Sequence, residues 1–255
     1  MKDAFHAEWT KLRTLASTYW LLIGTVILTV GASATVAATT HDTSGGEDLT
    51  KLSLTGVYLG QTVIAVLAVL AISEEYGTGM IRATLTAIPR RFVLLSAKAT
   101  NVAGLAFVSS LVAIAGCLVA GRFMLPNGGL NRAHGYALVS ITNGPTLRAA
   151  AGSVIYLVLI ALLSLGVATA IHDTAVSIGA VLGLLYLPLI LAQAVSDPLQ
   201  RHLEQIAPMT AGLAIQATTN LRSLPISPWA GLGVLAAWAT AALLVAGLLL
   251  RLRDA

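Results

Sequence analysis

The residues with the clearest capacity for chemistry lie in one short charged stretch, Glu74 to Arg91, which reads EEYGTGMIRATLTAIPRR. It begins with two adjacent carboxylates, ends with two arginines and separates two long apolar runs. Paired carboxylates can serve as a general acid and a general base. The stretch therefore raises two possibilities, a catalytic site at a membrane face or a surface for a partner protein.

Spacing excludes the catalytic possibility. Membrane proteases of the CAAX type carry an EExxxR motif, which would need arginine at position 79, where this chain has Gly79. Arg82 is out of register, and no HExxH pair for zinc occurs in the sequence. Cys117 is the only cysteine, so neither an intrachain disulfide nor a cysteine metal cluster can form.

The sequence also lacks a GxxxxGK[ST] phosphate-binding loop, so we expect no ATP cradle in this chain. The isolated histidines His41, His134 and His172 fall in predicted loops and are typical of solvated side chains. We therefore predict a protein that is not an enzyme, with no catalytic residues, no metal site and no cofactor of its own.

Composition defines the elements that must position the charged stretch. The chain is 56% hydrophobic and 10% charged, with a mean hydropathy of +0.84, whereas soluble domains are about a quarter charged. This indicates an all-α polytopic membrane protein with a single transmembrane domain over 1–255. Six apolar runs are long enough to span a bilayer: about 20–38, 54–73, 94–120, 149–171, 175–195 and 229–250.

We expect no acidic or basic side chain well inside these runs, and therefore no proton relay or ion path. The most polar side chains in or near them are Gln61, Asn101 and Gln193, for which inter-helix hydrogen bonds are the expected role. Before the first run, Phe5, Trp9 and Leu12 recur at helical spacing. Residues 1–19 thus predict an amphipathic helix on the membrane surface, with a soluble cap as the alternative, followed by a retained first span.

The distribution of Lys and Arg indicates cytoplasmic termini. Nine of the fifteen basic residues fall on the side of the N-terminus: Lys2, Lys11, Arg13, Arg82, Arg90, Arg91, Lys98, Arg251 and Arg253. The net charge of +4 then reflects topology, with anionic lipid headgroups as counter-charge, and no aromatic-interleaved basic patch argues for nucleic acid.

With this topology the charged stretch is cytoplasmic. Gly77 and Gly79 can act as hinges where the chain leaves the second run. A short helix should follow and should end at Pro89. Its apolar side would carry Met80, Ile81 and Leu85, with Arg82 apart from them. Such a helix either rests on lipid or binds a partner, and the pattern alone leaves both open.

Three segments, AEWTKLRTLASTYW, EEYGTGMIRATLTAIPRR and APMTAGLAI, resemble in order and placement the membrane subunit of an ABC-2 type transporter, the permease family of bacterial ABC exporters. The resemblance implies a connecting helix at 1–19, a coupling helix at 74–91 and an extracellular re-entrant or gate segment at 196–228. It implies a separate ABC ATPase subunit that holds ATP and Mg, a second permease copy or homologue, and a bacterial plasma membrane.

Carried over to this sequence, the resemblance assigns ATPase docking to Glu74, Glu75, Tyr76, Met80, Ile81, Arg82 and Leu85, with Gly77 and Gly79 as hinges. A pathway beside small hydroxyl residues would suit an amphipathic or hydrophobic cargo such as a drug, peptide, secondary metabolite or lipid-like compound. The candidate pathway residues are Thr25, Thr29, Ser33, Ser109 and Ser110.

Gly179 and Gly183 form a GxxxG pair that predicts close helix packing, either within the subunit or between two subunits. The alternative function is a membrane anchor or scaffold that holds a soluble cytoplasmic partner without transporting anything.

Overall fold

The computed structural model describes Thr10 and residues 16–40, 48–77, 91–125, 143–194 and 196–253. These residues form helices and turns, and none of them lies in a β-strand. The predicted connecting helix lies outside the described residues apart from Thr10 and residues 16–19. Of these, residues 16–19 belong to the first long helix.

The described helices are α1 Ala16–Thr39, α2 Leu49–Ser53, α3 Val57–Gly77, α4 Arg91–Met124, α5 Gly144–Ile171, α6 Thr174–Ala192, α7 Asp197–Ile206, α8 Pro208–Leu213 and α9 Pro228–Arg253. By length and composition, α1, α4, α5, α6 and α9 can cross a membrane, and α3 carries a shorter apolar stretch, Val57–Ser73. The prediction of an all-α polytopic membrane protein is confirmed.

The second predicted run begins three residues early. Residues Leu54 to Gly56 form a turn after α2, and Asp48 starts α2 by accepting a hydrogen bond from the Lys51 backbone N–H. A carboxylate at this position satisfies one of the helix's unpaired N–H groups. The stretch before α3 is therefore a separate short helix and not the start of a span.

Helix α5 occupies the centre of the bundle and contacts α3, α4, α6 and α9. In its most apolar stretch 61% of the residues are buried, against 22% for α1 and α6. A helix that is apolar on all sides is stable in such a surrounded position. The peripheral helices α1, α6 and α9 leave large apolar side chains exposed, as expected of surfaces that face lipid.

Successive long helices run in opposite directions, which defines two ends of the bundle. At one end, which we call the cap end, α2 meets the last residues of α4 and the first residues of α5, because Gly121 packs on Ser53 and Thr50 bonds Thr146. The other end, the connector end, holds the C-terminus of α3 and the N-terminus of α4. The charged stretch therefore joins two helices at the connector end.

A two-residue turn joins α5 to α6 at the connector end. His172 adopts a left-handed backbone with φ of 68° and its N–H donates to Ala168 O at 3.0 Å. Asp173 then accepts from the Val176 N–H at 2.8 Å and starts α6. This turn holds the two helices antiparallel.

Candidate functional site

The segment from Ser196 to Pro228 forms a helical hairpin that re-enters the bundle from the cap end. The indole Nε1 of Trp238 donates to Ile206 O at 2.9 Å. Trp238 lies ten residues after Pro228, so the C-terminus of α7 lies about 15 Å along α9. Helix α7 thus runs from the cap end to the middle of α9 along the outside of the bundle, where none of its described side chains is buried.

Helix α8 returns towards the cap end. Gly231, near the start of α9, packs directly against Ala211 O of α8, and the chain then reaches Thr218, which bonds Asp48. A side chain at position 231 would overlap that carbonyl. The hairpin therefore enters and leaves at the same end, and its extracellular location stays a prediction.

Hydrogen bonds from two side chains and one backbone N–H satisfy the carbonyl groups at the tip of the hairpin. Glu204 O accepts from Thr210 Oγ1 at 3.0 Å, and Ile206 O accepts from Trp238. Leu203 O accepts from the Ala207 N–H at 2.9 Å. The last carbonyls of a helix lack partners within that helix, and hydrocarbon offers none. These bonds allow a helix to end within the membrane-spanning bundle.

A buried polar network lies beneath the hairpin. Gln61 of α3 and Tyr156 of α5 are both fully buried, and the Tyr156 hydroxyl donates to Gln61 Oε1. Gln61 Nε2 donates to Tyr186 Oη of α6 at 3.0 Å and to Met209 Sδ of α8 at 3.3 Å. The predicted inter-helix role of Gln61 is confirmed, and its amide joins four helices.

Tyr186 completes this network at the start of α3. Its hydroxyl donates to Tyr58 O at 2.5 Å and accepts from Thr62 Oγ1 at 2.7 Å. Neither Tyr156 nor Tyr186 is among the residues predicted from the sequence to have a role. The available signal was a tyrosine inside an apolar run, because a buried hydroxyl must find a partner.

Asp48, the N-cap residue of α2, forms hydrogen bonds with the end of the hairpin. Its carboxylate accepts from Thr218 Oγ1 at 2.6 Å, from the Thr218 N–H and from the Thr219 N–H at 3.0 Å. Partial burial raises the pKa of Asp48, but the hydrogen bonds from Thr218, Lys51 and Thr219 outweigh it and leave the pKa below its ordinary value. The carboxylate is therefore held in its charged form.

Polar contacts continue from this point onto α5. Arg148 donates to Ala217 O at 2.5 Å, and Gln216 Nε2 donates to Ser153 Oγ at 3.2 Å. On α5, Gly152 lies between Arg148 and Ser153 in sequence and packs against Ile215. The cap end is thus tied to the central helix by both hydrogen bonds and close packing.

The structure places the five candidate pathway residues at helix contacts. Each is at most 6% exposed. Ser33 accepts from the Gly56 N–H at 2.9 Å, where α1 meets α3. The hydroxyls of Thr25, Thr29, Ser109 and Ser110 donate to carbonyls of their own helices. That these residues line a pathway stays a prediction.

The close packing predicted at Gly179 and Gly183 is absent within this chain's described residues, where a Cβ at either position would meet nothing within 4 Å. Contact with a second subunit stays a prediction. A different GxxxG pair makes the close contact: Gly56 and Gly60 pack so tightly on Thr29 that a Cβ at either would overlap it. Small residues at this spacing let helix backbones approach closely.

The predicted docking element lies mostly beyond the described residues. The backbone of Glu74, Glu75, Tyr76 and Gly77 forms the last turn of α3, and α4 begins at Arg91. The predicted hinge Gly79 and the predicted anchors Met80, Ile81, Arg82 and Leu85 lie outside the described residues. Their docking role stays a prediction.

The expectation of no buried charge in the spans is wrong for Lys98. This side chain of α4 is 1% exposed, and its Nζ donates to Ala71 O of α3 at 3.0 Å. A long alkyl stem lets lysine reach a carbonyl oxygen of a neighbouring helix with its ammonium group. Lys98 thus ties the start of α4 to the end of α3.

Comparison with known proteins identifies a family. A family model described as "ABC-2 family transporter protein" matches residues 4–171, which include α1 to α5 and the charged stretch between α3 and α4. No curated protein matches the chain.

Proposed function

The chain belongs to the ABC-2 transporter family, and from this premise we propose that it is the permease subunit of an ATP-driven exporter for amphipathic or hydrophobic compounds. The observation that carries the proposal is the family match over residues 4–171, about two thirds of the chain. Membrane subunits of this family are generally non-catalytic and generally work with an ABC ATPase. The energy for transport then comes from that partner.

The course of α3 supports a mechanical link between partner and cap. Its first turns carry Tyr58, Gln61 and Thr62 of the polar network beneath the hairpin, and its last turn, Glu74 to Gly77, is the beginning of the charged stretch. One continuous helix therefore connects the two ends. In our proposal, ATP-driven movement of the coupling helix shifts α3 and releases the hairpin, which acts as a gate.

Topology and assembly follow from the same proposal. Both termini lie in the cytoplasm of a bacterial cell, and two permease subunits pair with two ATPase subunits. Cysteines introduced at Lys2 and at Asn131, in a Cys117→Ala background, should react with impermeant reagent from opposite sides of the membrane. Labelling of both from one side would contradict this topology, and an active monomer without an ATPase would contradict the assembly.

The decisive experiment tests the coupling helix. The double variant Ile81→Asp/Leu85→Asp places two charges on the predicted apolar side, which should prevent burial against the ATPase. We expect loss of the permease–ATPase complex and of transport, while membrane insertion is kept. The matched control is Ala83→Asp/Thr86→Asp, which adds the same charge to the opposite side of the same helix and should leave the complex intact.

Reconstituted vesicles distinguish an exporter from an anchor. For an exporter, a transported amphipathic dye should stimulate hydrolysis of ATP by the complex and should move across the membrane in an ATP-dependent way. For an anchor, the complex forms, but the dye neither changes its rate of ATP hydrolysis nor crosses the membrane. A double variant with wild-type complex formation and transport would refute the docking assignment.

A further inference from the structure

An open groove of about 470 Å³ lies on the surface between α7 and α9. This volume is typical of sites for small organic ligands. The residues around it are Gln205, Ile206, Val234, Ala237, Trp238 and Ala241.

Each of its two polar side chains already donates a hydrogen bond within the protein. Trp238 Nε1 donates to Ile206 O at 2.9 Å, and Gln205 Nε2 donates to Pro225 O at 2.8 Å. What the groove presents is therefore mainly carbon, from aliphatic side chains and the indole ring. Such a surface gains free energy from contact with hydrocarbon and offers little to a polar ligand.

The depth of the groove identifies the surrounding medium. Its α9 residues, Val234 to Ala241, lie six to thirteen residues after Pro228, or about 9 to 20 Å along a helix that is long and apolar enough to span a membrane. At this depth a span is surrounded by lipid acyl chains. An acyl chain can therefore enter the groove directly from the bilayer.

Basic side chains of α7 lie between the groove and the cap end. Arg201 and His202 are exposed and precede Gln205 and Ile206 by four residues, which places each pair on one face of α7. Because α7 descends from the cap end, the basic pair is nearer the membrane surface. The acidic neighbour Glu204 accepts a hydrogen bond from Gln200 Nε2 at 2.9 Å. A cation above a hydrocarbon groove is complementary to a phospholipid.

We propose that the α7–α9 groove binds one anionic phospholipid of the surrounding leaflet, with an acyl chain along Ala237 and Trp238 and the headgroup phosphate at Arg201. The guanidinium group matches the geometry of phosphate oxygens. This site does not depend on whether the protein transports anything.

Trp238 provides the probe for the test. A single-tryptophan protein with Trp9, Trp20 and Trp229 replaced by Phe is reconstituted in phosphatidylcholine vesicles that contain increasing fractions of brominated phosphatidylglycerol, which quenches indole fluorescence on contact. The reference protein keeps only Trp20, which is 73% exposed at the connector end and reports bulk lipid. In a third protein, the substitution Arg201→Gln is introduced into the variant whose only tryptophan is Trp238.

We expect half-maximal quenching of Trp238 at a roughly fivefold lower fraction of brominated lipid than for Trp20, the preference that one basic residue near the surface supplies. Arg201→Gln should return Trp238 to the Trp20 curve. Identical curves for the two tryptophans would reduce the site to bulk lipid contact and overturn the proposal. So would an unquenched Trp238, which would mean that protein covers the groove, or equal quenching by brominated phosphatidylcholine, which would exclude a preference for anionic lipid.

Discussion

The two ends of the bundle are held together by different interactions. At the cap end, bonds between buried or half-buried polar groups connect α2, α3, α5, α6 and the hairpin, and backbones touch directly at Gly56 and Gly231. At the connector end, the described contacts are mainly apolar: Leu95 packs with Ala246 and Leu250, a cation lies over an aromatic ring, and Lys98 Nζ donates a hydrogen bond to Ala71 O.

This difference concerns how easily each end can rearrange. Hydrogen bonds between buried groups have fixed partners, and breaking one leaves an unpaired group in a dry environment. Apolar contacts are non-directional and can slide with small loss. We therefore expect the cap end to switch between discrete arrangements and the connector end to adapt gradually. The substitutions below test this contrast.

The largest effect is expected from glycine packing. Gly56→Ala should destabilise the protein by about 3 kcal/mol, because its Cβ would overlap the fixed backbone carbonyl of Thr29. Gly247→Ala, at the connector end, should cost far less, because its Cβ would come within 2.8 Å of the ring of Phe92, which is 43% exposed and can move. Thermal unfolding midpoints in detergent measure both. Equal losses would remove the contrast between the ends.

Gly31→Ala serves as the control for this pair. A Cβ at Gly31 meets nothing within 4 Å, so the substitution should be neutral or stabilise α1 by about 0.5 to 1 kcal/mol.

The second effect concerns the buried network. Tyr156→Phe should destabilise the protein by about 1 to 3 kcal/mol, because Gln61 Oε1 loses the hydroxyl that donates to it and stays buried. Adding Gln61→Met should recover part of the loss, since both members of that hydrogen bond are then absent. Unfolding measurements on the two single variants and the double variant complete the cycle, and strict additivity would argue against the network.

The third effect depends on pH. The lowered pKa of Asp48 means that its charge stabilises the folded state above the pKa of the unfolded chain, near 3.8, and that this contribution is lost as pH falls through the lower folded-state value. Asp48→Asn should therefore lose about 1.5 to 3 kcal/mol at neutral pH. The difference from wild type should narrow progressively below about pH 4 in unfolding measurements. A gap that widens on acidification would contradict this assignment.

The smallest effect is expected at the connector end. The guanidinium carbon of Arg251 lies 4.2 Å from the centroid of the Phe92 ring. Arg251→Gln should cost about 0.5 to 1 kcal/mol, the usual value for an exposed cation–π contact. Phe92→Leu should produce a similar loss in the same unfolding assay. A loss as large as that of Tyr156→Phe would show that an exposed contact at this end contributes as much as the buried network at the cap end.

Sequence alone was sufficient for the elements that depend on local pattern. Long apolar runs predict helices wherever they occur, so the all-helical membrane architecture followed directly. The helix α2 could not be predicted in this way, because LTKLS is too short to show a helical period of apolar residues. It becomes a helix through the Asp48 cap and the packing of Ser53 on Gly121.

Features that join distant parts of the chain could not be predicted from local pattern. Gly56–Gly60 and Gly179–Gly183 have the same spacing, and only the position of α1 makes the first pair the close contact. Gln61 and Tyr156 are 95 residues apart, so their bond has no local signature. The burial of Lys98 depends on the packing of α4 against α3, which the sequence around Lys98 does not show.

The length of α4 has a consequence for how the protein fits its bilayer. Its 34 residues extend about 51 Å, whereas a hydrocarbon core is about 30 Å thick. Lys98 lies seven residues, or about 10 Å, from the start of this helix. If the part of α4 that exceeds the hydrocarbon thickness projects at the connector end, the Lys98 ammonium group lies at the level of the lipid headgroups. A thicker bilayer would bring the charged side chain of Lys98 towards hydrocarbon, which costs free energy. To avoid this cost, the helix must tilt less or the surrounding lipid must become thinner.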